Sequence, residues 1–413
     1  MNVLRVAQFR RYLLGQAASQ FGDSLVPLTI AFAALDVSGP GGLGLVLAAN
    51  RLPVAGLVLV GGALGDRWPR RALMVGADVS RCVVQVACGV LLLTGHAGLA
   101  SLIVLQALAG AGTALFVPAA SGLVPSLVGK ERVQEANALL GLVGNINKVA
   151  SISVAGVLVA WSGTGTALLV DGATFALSAL ALAGLRLPAR TRSTSGRPGL
   201  WREIRDGARL VLSLPWLTML LGYGTLLQAL VIGPHMIAGP LLAEGTYGGA
   251  AGWAVIGVAQ AAGSIAGGLV ALRWRPRQPL VSACAVGLLM VPYLLVLALG
   301  GPLWAVCVLA VLMGGQGSVC VAVQAAQIQR RVPEEARSRV AAWSQLGNLV
   351  ALPASLAVAG PLAAHRGGGP VLLAAALWLV LSTGVVLAGR VLTLPATTTP
   401  GTDAPSEASP ANG

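Results

Sequence analysis

"GGALGDRWPRR", residues 61 to 71, ends a long apolar run with three glycines, an acid and three arginines. A partial copy stands further along: "GGLVALRW", residues 267 to 274, repeats the Gly-Gly and the Arg-Trp of "GGALGDRW" at the same spacing. Both close a hydrophobic stretch. A second pair, "GLVGN" at 141 to 145 and "SQLGN" at 344 to 348, each opens an apolar run after a charged loop. A duplicated unit explains both coincidences, and stacked copies of one unit imply two similar halves.

Composition says what medium those halves occupy. Of 413 residues 56% are hydrophobic and only 10% charged, against about 25% charged in soluble domains. The mean hydropathy is +0.81. Apolar stretches of about 20 residues, the length that crosses a hydrocarbon core of about 30 Å, recur along nearly the whole chain. In lipid every backbone N–H and C=O needs a partner within its own segment, so these stretches read as helices. Breaks at Gly, Pro and charge predict helices over 12–36, 42–65, 71–94, 98–122, 136–160 and 164–186, then 214–240, 249–272, 279–299, 302–326, 340–363 and 370–392. The fold class is therefore an all-α integral membrane protein, with twelve transmembrane helices in two six-helix pseudo-repeat bundles. The bundles occupy 1–187 and 214–392. A basic cytoplasmic linker at 188–213 joins them, and a Pro/Thr/Ser-rich, disordered cytoplasmic tail follows at 393–413.

Charge tests this count, because Lys and Arg collect in cytoplasmic loops. One side holds Arg5, Arg10 and Arg11; Arg67, Arg70 and Arg71; Lys130 and Arg132; seven arginines from Arg186 to Arg209; Arg273, Arg275 and Arg277; Arg330, Arg331, Arg337 and Arg339; and Arg390. The opposite loops hold only Arg366. Both termini are expected in the cytoplasm of a cell (plasma or inner) membrane, with no removed signal peptide. The linker reads either as an amphipathic helix with Trp201, Ile204 and Leu210 on its apolar side or as a solvated basic coil.

Several functions are disfavoured. The formal charge of +13 is dispersed at the ends of apolar runs, unlike a nucleic-acid patch. No phosphate-binding loop of the G-x-x-x-x-G-K-[ST] type occurs, so the chain carries no ATPase of its own. Five cysteines, Cys82, Cys88, Cys284, Cys307 and Cys320, lack metal spacing and read as packing residues. No metal, cofactor or enzymatic constellation is expected.

The two halves differ in buried charge. Asp23, Arg51, Asp78, Arg81, Lys148 and Asp171 fall in the first six predicted helices; the second six carry only His235 at depth, and Leu272 stands where the first copy has Asp66. These features resemble the major facilitator superfamily. The opening stretch is similar to that family's G-x-L-x-D-R-x-G-R-R signature through Gly62, Leu64, Asp66, Arg67, Arg70 and Arg71, with Pro69 in place of glycine. "FVPAASGLVPSLVGKERVQEANAL" at 116–139 and "VDGATFALSALAL" at 170–182 resemble the multidrug and natural-product exporter branch, which includes siderophore and macrolide exporters. Two departures stand against drug/proton antiport: Ser151-Ile152 replaces a Gly-Pro, and Gln106 replaces an arginine before Gly110 and Gly112.

The resemblance implies a latch in which Asp66 faces the start of the eleventh helix near Val340 and Arg70 bridges to a nearby acid or carbonyl. An interfacial anchor explains arginine there but not aspartate. For proton coupling or a buried charge network the candidates are Asp23, Arg51, Lys148, Asp78, Arg81 and Asp171. Asp23 sits four residues before Pro27 at a depth where an acid needs water or a base. Asp78 and Arg81, three apart, share a helix face and pair with each other, while Arg51 is expected beside Asp23 or Asp171. The resemblance further assigns the cavity to helices 1, 4, 7 and 10, with Gln20, Phe116, Tyr223, Gln228, His235, Gln316 and Gln324 on them. That mostly neutral lining suits a bulky amphipathic solute. The function so implied is proton-coupled efflux of a drug, antibiotic or other natural product by a monomer in the bilayer. The alternatives are import of a metabolite on the same fold, or a membrane receptor that does not transport.

Overall fold

The computed structural model describes residues 3–388 except 68, 122, 186–199, 275 and 333; the described residues are overwhelmingly helical, with no strand among them. Among the described residues ten helical runs are long and apolar enough to cross a bilayer. Two of them span 51 residues each, one inside α1 (Ala7–Arg67) and the other all of α5 (Val133–Ala183). A straight helix of that length would reach about 77 Å at 1.5 Å per residue, more than twice the bilayer core.

Both long helices fold back at a glycine. Gly39 has φ 66° and ψ −168°, Gly163 φ 81° and ψ 167°, conformations that side chains with a Cβ resist. Pro40 reinforces the first turn, since a proline disfavours helical geometry in the residue before it and suits the first position of the next helix. Contacts demonstrate the reversal. Asp23 and Asn50 would lie about 40 Å apart on a straight helix. Yet Asp23 meets Arg81, while Asn50 reaches through Gln106 to Gln85, one turn further along the same neighbour. In α5, Ser151 bonds the Phe21 carbonyl and Asp171 crowds Gly22, so those two limbs also run side by side. Splitting α1 and α5 at their glycines turns the ten runs into twelve among the described residues, consistent with the twelve helices expected.

The first six are thus the two limbs of α1, α2 (Arg70–Leu93), α3 (Leu99–Ser121) and the two limbs of α5, with the short α4 (Val124–Val128) between α3 and α5. The linker contains α6 (Leu200–Ser213), whose Leu210 and Val211 pack on Leu217, Val332 and Val340 of the second half; the side chains of Trp201 and Ile204 lie outside the described residues. The tail from 389 lies outside them as well.

The second half comprises α7 (Pro215–Leu227) running into α8 (Gly233–Thr246), α9 (Ala250–Arg273), α10 (Pro279–Gly287) with α11 (Met290–Ala298), α12 (Leu303–Arg331), α13 (Glu334–Arg366) and α14 (Gly368–Ala388). Prolines explain its two interrupted spans. Pro292 has no N–H and its ring collides with the carbonyl of Leu288, so the helix yields at Leu288 and Leu289. Pro234 does the same two spans earlier, where Gln228–Ile232 widens to a π-turn that absorbs the clash.

The halves meet at the end where Gly39 and Gly163 turn, hereafter the far end. Leu25, Leu28 and Phe32 of α1 join Ala155 of α5 in one buried cluster with Ala243, Ala250 and Ala254 of the second half. Gly44 lies against Gly360 so closely that a Cβ would come within 2.9 Å of the Gly360 Cα. At Ile152, one turn of α5 earlier, the branched side chain fills the space beside Gly257. The opposite end, where α1 begins, gathers Arg10, Arg11, Arg71, Arg132, Arg205, Arg209, Arg273, Arg330 and Arg331. Two of these bind the last carbonyls of α5: Arg11 donates to Gly184 O at 3.1 Å and Arg71 to Ala183 O. Those arginines cap a helix C-terminus.

Candidate functional site

The buried charge is built on one face of α2, where Asp78, Arg81 and Gln85 succeed one another at three- and four-residue intervals. Arg81 is only 2% exposed, and Gly112 on α3 makes room for it, since a Cβ there would come within 2.8 Å of the Arg81 Cγ. A guanidinium at this depth requires partners, and both terminal nitrogens have them while Nε is buried without one. Its Nη1 donates to both oxygens of Asp23 at 3.3 and 3.2 Å; Nη2 donates to Asp78 and, at 3.4 Å, to Ser19. Phe116 and Phe175 cover it, with ring centroids 4.6 and 4.2 Å from Cζ, adding cation–π attraction. Asp78 is fully buried and also accepts from Ser178 at 2.6 Å. Two carboxylates share one arginine, and only Asp23, 44% exposed, presents its charge to the open space.

A second polar chain begins one turn further along α2. Gln85 donates to Asp171 at 2.6 Å, Gln106 donates to Gln85 at 3.4 Å, and Asn50 donates to Gln106 at 3.1 Å. Thr174 completes the setting of Asp171 with a bond to its carbonyl at 2.7 Å. These amides tie four helices together without adding charge. Gln106, noted above only as the residue standing where an arginine is common, joins two other amides.

Asp23 opens into a cavity of about 460 Å³ between the first limbs of α1 and α5, together with Gln20, Ser24, Asn145 and Lys148. The far-end seal, beginning at Leu25 and Ile152, bounds it on one side. Lys148 is exposed there, while its neighbours Asn147 and Ser151 turn to α1 and bond the carbonyls of Ala17 and Phe21 at 2.7 and 2.8 Å. The near absence of bulky side chains at Gly141 and Gly144 keeps the space open.

The other expected residues fall elsewhere. Arg51 makes no ion pair with a described acid; Arg81 holds Asp23 and Gln85 holds Asp171 instead, because α1's second limb is rotated to aim Asn50 inward. The side chain of Asp66 lies outside the described residues, and Arg70 opens α2 half-buried. Of the expected cavity lining, Gln20 lines the cavity, and Phe116 serves as a lid on Arg81. Tyr223 bonds Thr383 at 2.9 Å and stacks on Trp378. His235 is buried between Trp253 and Tyr293, bonding the Tyr293 hydroxyl at 3.0 Å. Gln316 bonds Cys320, Gln228 sits in the π-turn and Gln324 is half-buried on α12. Sequence reading passed over Gln85, Ser178 and Asn50. Gln85 carried a usable signal, a polar residue one turn from Arg81 in an apolar helix.

Comparison with known proteins places this geometry among others. A family model described as Major Facilitator Superfamily matches residues 12–355. The chain is 26% identical over 205 residues to the MFS-type transporter YkuC of Bacillus subtilis, covering 49% of this chain and 47% of that protein. It is 37% identical over 145 residues to the MFS-type transporter Mb0038c of Mycobacterium bovis, covering 33% and 32%. The chain thus spans about half the length of the first relative and a third of the second. Among solved structures, the nucleoside transporter NupG superposes with a TM-score of 0.73 at 11% identity, covering 94% of this chain and 99% of that one. A bacterial homologue of the iron transporter ferroportin in an inward-facing state gives 0.73 at 17%, covering 95% and 100%. At such identities the likeness concerns the fold alone.

Proposed function

The chain belongs to the Major Facilitator Superfamily, and from that premise we propose that it is a proton-coupled secondary transporter expelling a bulky amphipathic small molecule by alternating access. In this reading it works as a monomer in the cell membrane with both termini cytoplasmic, in keeping with the arginines collected at the end where α1 begins. The far end then faces outward and is closed by Gly44 against Gly360 and by the Leu25–Phe32 cluster, and the cavity belongs to a state that loads from inside. Asp66 and Arg70 act as the latch that closes the cytoplasmic end in the opposite state.

The observation that carries the coupling role is the position of Asp23. Its carboxylate touches both the cavity and the buried Arg81, so a proton arriving from cavity water would loosen a contact that ties α1 to α2. Asp78 and Asp171, fully buried beneath, serve as fixed counter-groups. The resemblance of 116–139 and 170–182 to natural-product exporters supports the direction and the solute class. The test is transport of a solute panel in proteoliposomes under an imposed pH gradient, comparing the native chain with Asp23→Asn. Gradient-driven transport is expected to vanish in the variant. A variant that keeps gradient-driven transport refutes the assignment, and cells that retain more of the solute on expression, rather than less, reverse the direction.

A further inference from the structure

Among the described residues that line it, the cavity holds one charge of each sign. On its α1 side stand Asp23 and, one turn earlier, Gln20, whose Oε1 is buried without a hydrogen-bond partner. On its α5 side stands Lys148, exposed to the cavity and in no ion pair with a described acid. Asp78 cannot compensate Lys148, because it is fully buried and committed to Arg81 and Ser178. Asp23 already shares Arg81 with Asp78, so the ion-paired triad of two carboxylates and one guanidinium carries an excess negative charge that surfaces at Asp23, on which Arg51 acts only at longer range without an ion pair. The wall therefore presents an anion on one helix and a cation on the neighbouring helix.

We propose that the solute carried is amphoteric: an amine or ammonium donates to Asp23, while a carboxylate or other anionic group of the same molecule meets Lys148. This inference rests on the transporter reading above and specifies its substrate class. A simple lipophilic cation satisfies Asp23 but leaves Lys148 facing apolar surface, and a simple anion does the reverse; either mismatch forfeits a charged hydrogen bond in a partly enclosed site. The volume of about 460 Å³ accommodates a ligand of drug or short-peptide size. Ser24 and Asn145 add neutral polar contacts without a sign preference.

The probe is a matched set of aromatic amino acids and dipeptides in three forms: the free zwitterion, the methyl ester, which is a cation, and the N-acetyl derivative, an anion. Thermal stabilisation of the purified full chain reads binding, and uptake into proteoliposomes reads transport. The zwitterion is expected to bind about tenfold or more tightly than either blocked form, the factor that corresponds to one charged hydrogen bond. Lys148→Gln brings the ratio of zwitterion to ester towards one, and Lys148→Arg keeps it, which also controls for a folding defect. Equal binding of zwitterion and ester by the native chain, an unchanged ratio in Lys148→Gln, or no binding of any form overturns the amphoteric assignment. Binding of the zwitterion with no transport of any form upholds that assignment and instead sinks the transporter reading; transport of esters alone does the opposite.

Discussion

Arg81→Met is the perturbation whose size the structure defines best. The substitution keeps an unbranched apolar side chain at the position but removes the guanidinium that lies between Phe116 and Phe175 and between two carboxylates. Asp78, fully buried, keeps only Ser178 as a donor, and an uncompensated buried charge of this kind costs about 3–5 kcal/mol. Asp23, 44% exposed to the cavity, can be hydrated and adds under about 1 kcal/mol. Loss of about 4 kcal/mol is therefore expected in equilibrium unfolding of the purified protein in mixed micelles. Asp78→Asn added to Arg81→Met removes the orphaned charge while leaving a carbonyl for Ser178, and the pair should return to within about 2 kcal/mol of the native chain. The double-mutant cycle thus gives a coupling above about 2 kcal/mol. A coupling under about 0.5 kcal/mol, or a double variant as unstable as Arg81→Met alone, refutes the claim that Arg81 is held by paired charge.

Two further substitutions address the amide chain and the seal. Gln85→Leu strips Asp171 of the donor at 2.6 Å and is expected to destabilise the first half by about 1–3 kcal/mol in the same unfolding assay, while Asp171→Asn in that background recovers part of the loss; a neutral Gln85→Leu would mean that the contact carries nothing. Gly44→Leu places a side chain where the Gly360 backbone now lies and should hold the far end apart, raising the reaction of an introduced Ala155→Cys with an impermeant maleimide added from that side; unchanged labelling would show that the helices part without opening the seal.

The element boundaries were legible because lipid enforces them: length, glycine turns and arginine asymmetry are all written locally. Gly39 before Pro40 and Gly163 in a polar break separate helices that hydropathy alone runs together. The same-face pair Asp78 and Arg81 followed from helical spacing alone. What could not be read was rotation about each helix axis relative to its neighbours. Arg51 and Asn50 are adjacent in sequence, and which of them enters the polar core depends on how the second limb of α1 packs on α3 through Gly110, a glycine whose missing side chain lets the Asn50 carbonyl approach. For the same reason Arg81, rather than Arg51, became the partner of Asp23. Three of the second-half residues expected to line the cavity found partners within their own bundle, Tyr223 with Thr383, His235 with Tyr293 and Gln316 with Cys320, and a polar residue in an apolar helix does not announce whether it will bond protein or ligand.

The economy of the turns has a practical side. Between consecutive spans the far end shows Gly39 alone, Thr94–Gly98, Gly163 alone, Tyr247–Gly249, Leu299–Pro302 and Gly367 alone. That face offers almost no loop to an antibody, a protease or a tag. Detection of the protein from that side would need an epitope spliced into the turn at 94–98, the longest of the six, whereas an insertion beside Gly39, Gly163 or Gly367 would pry apart a helix hairpin that a single residue closes.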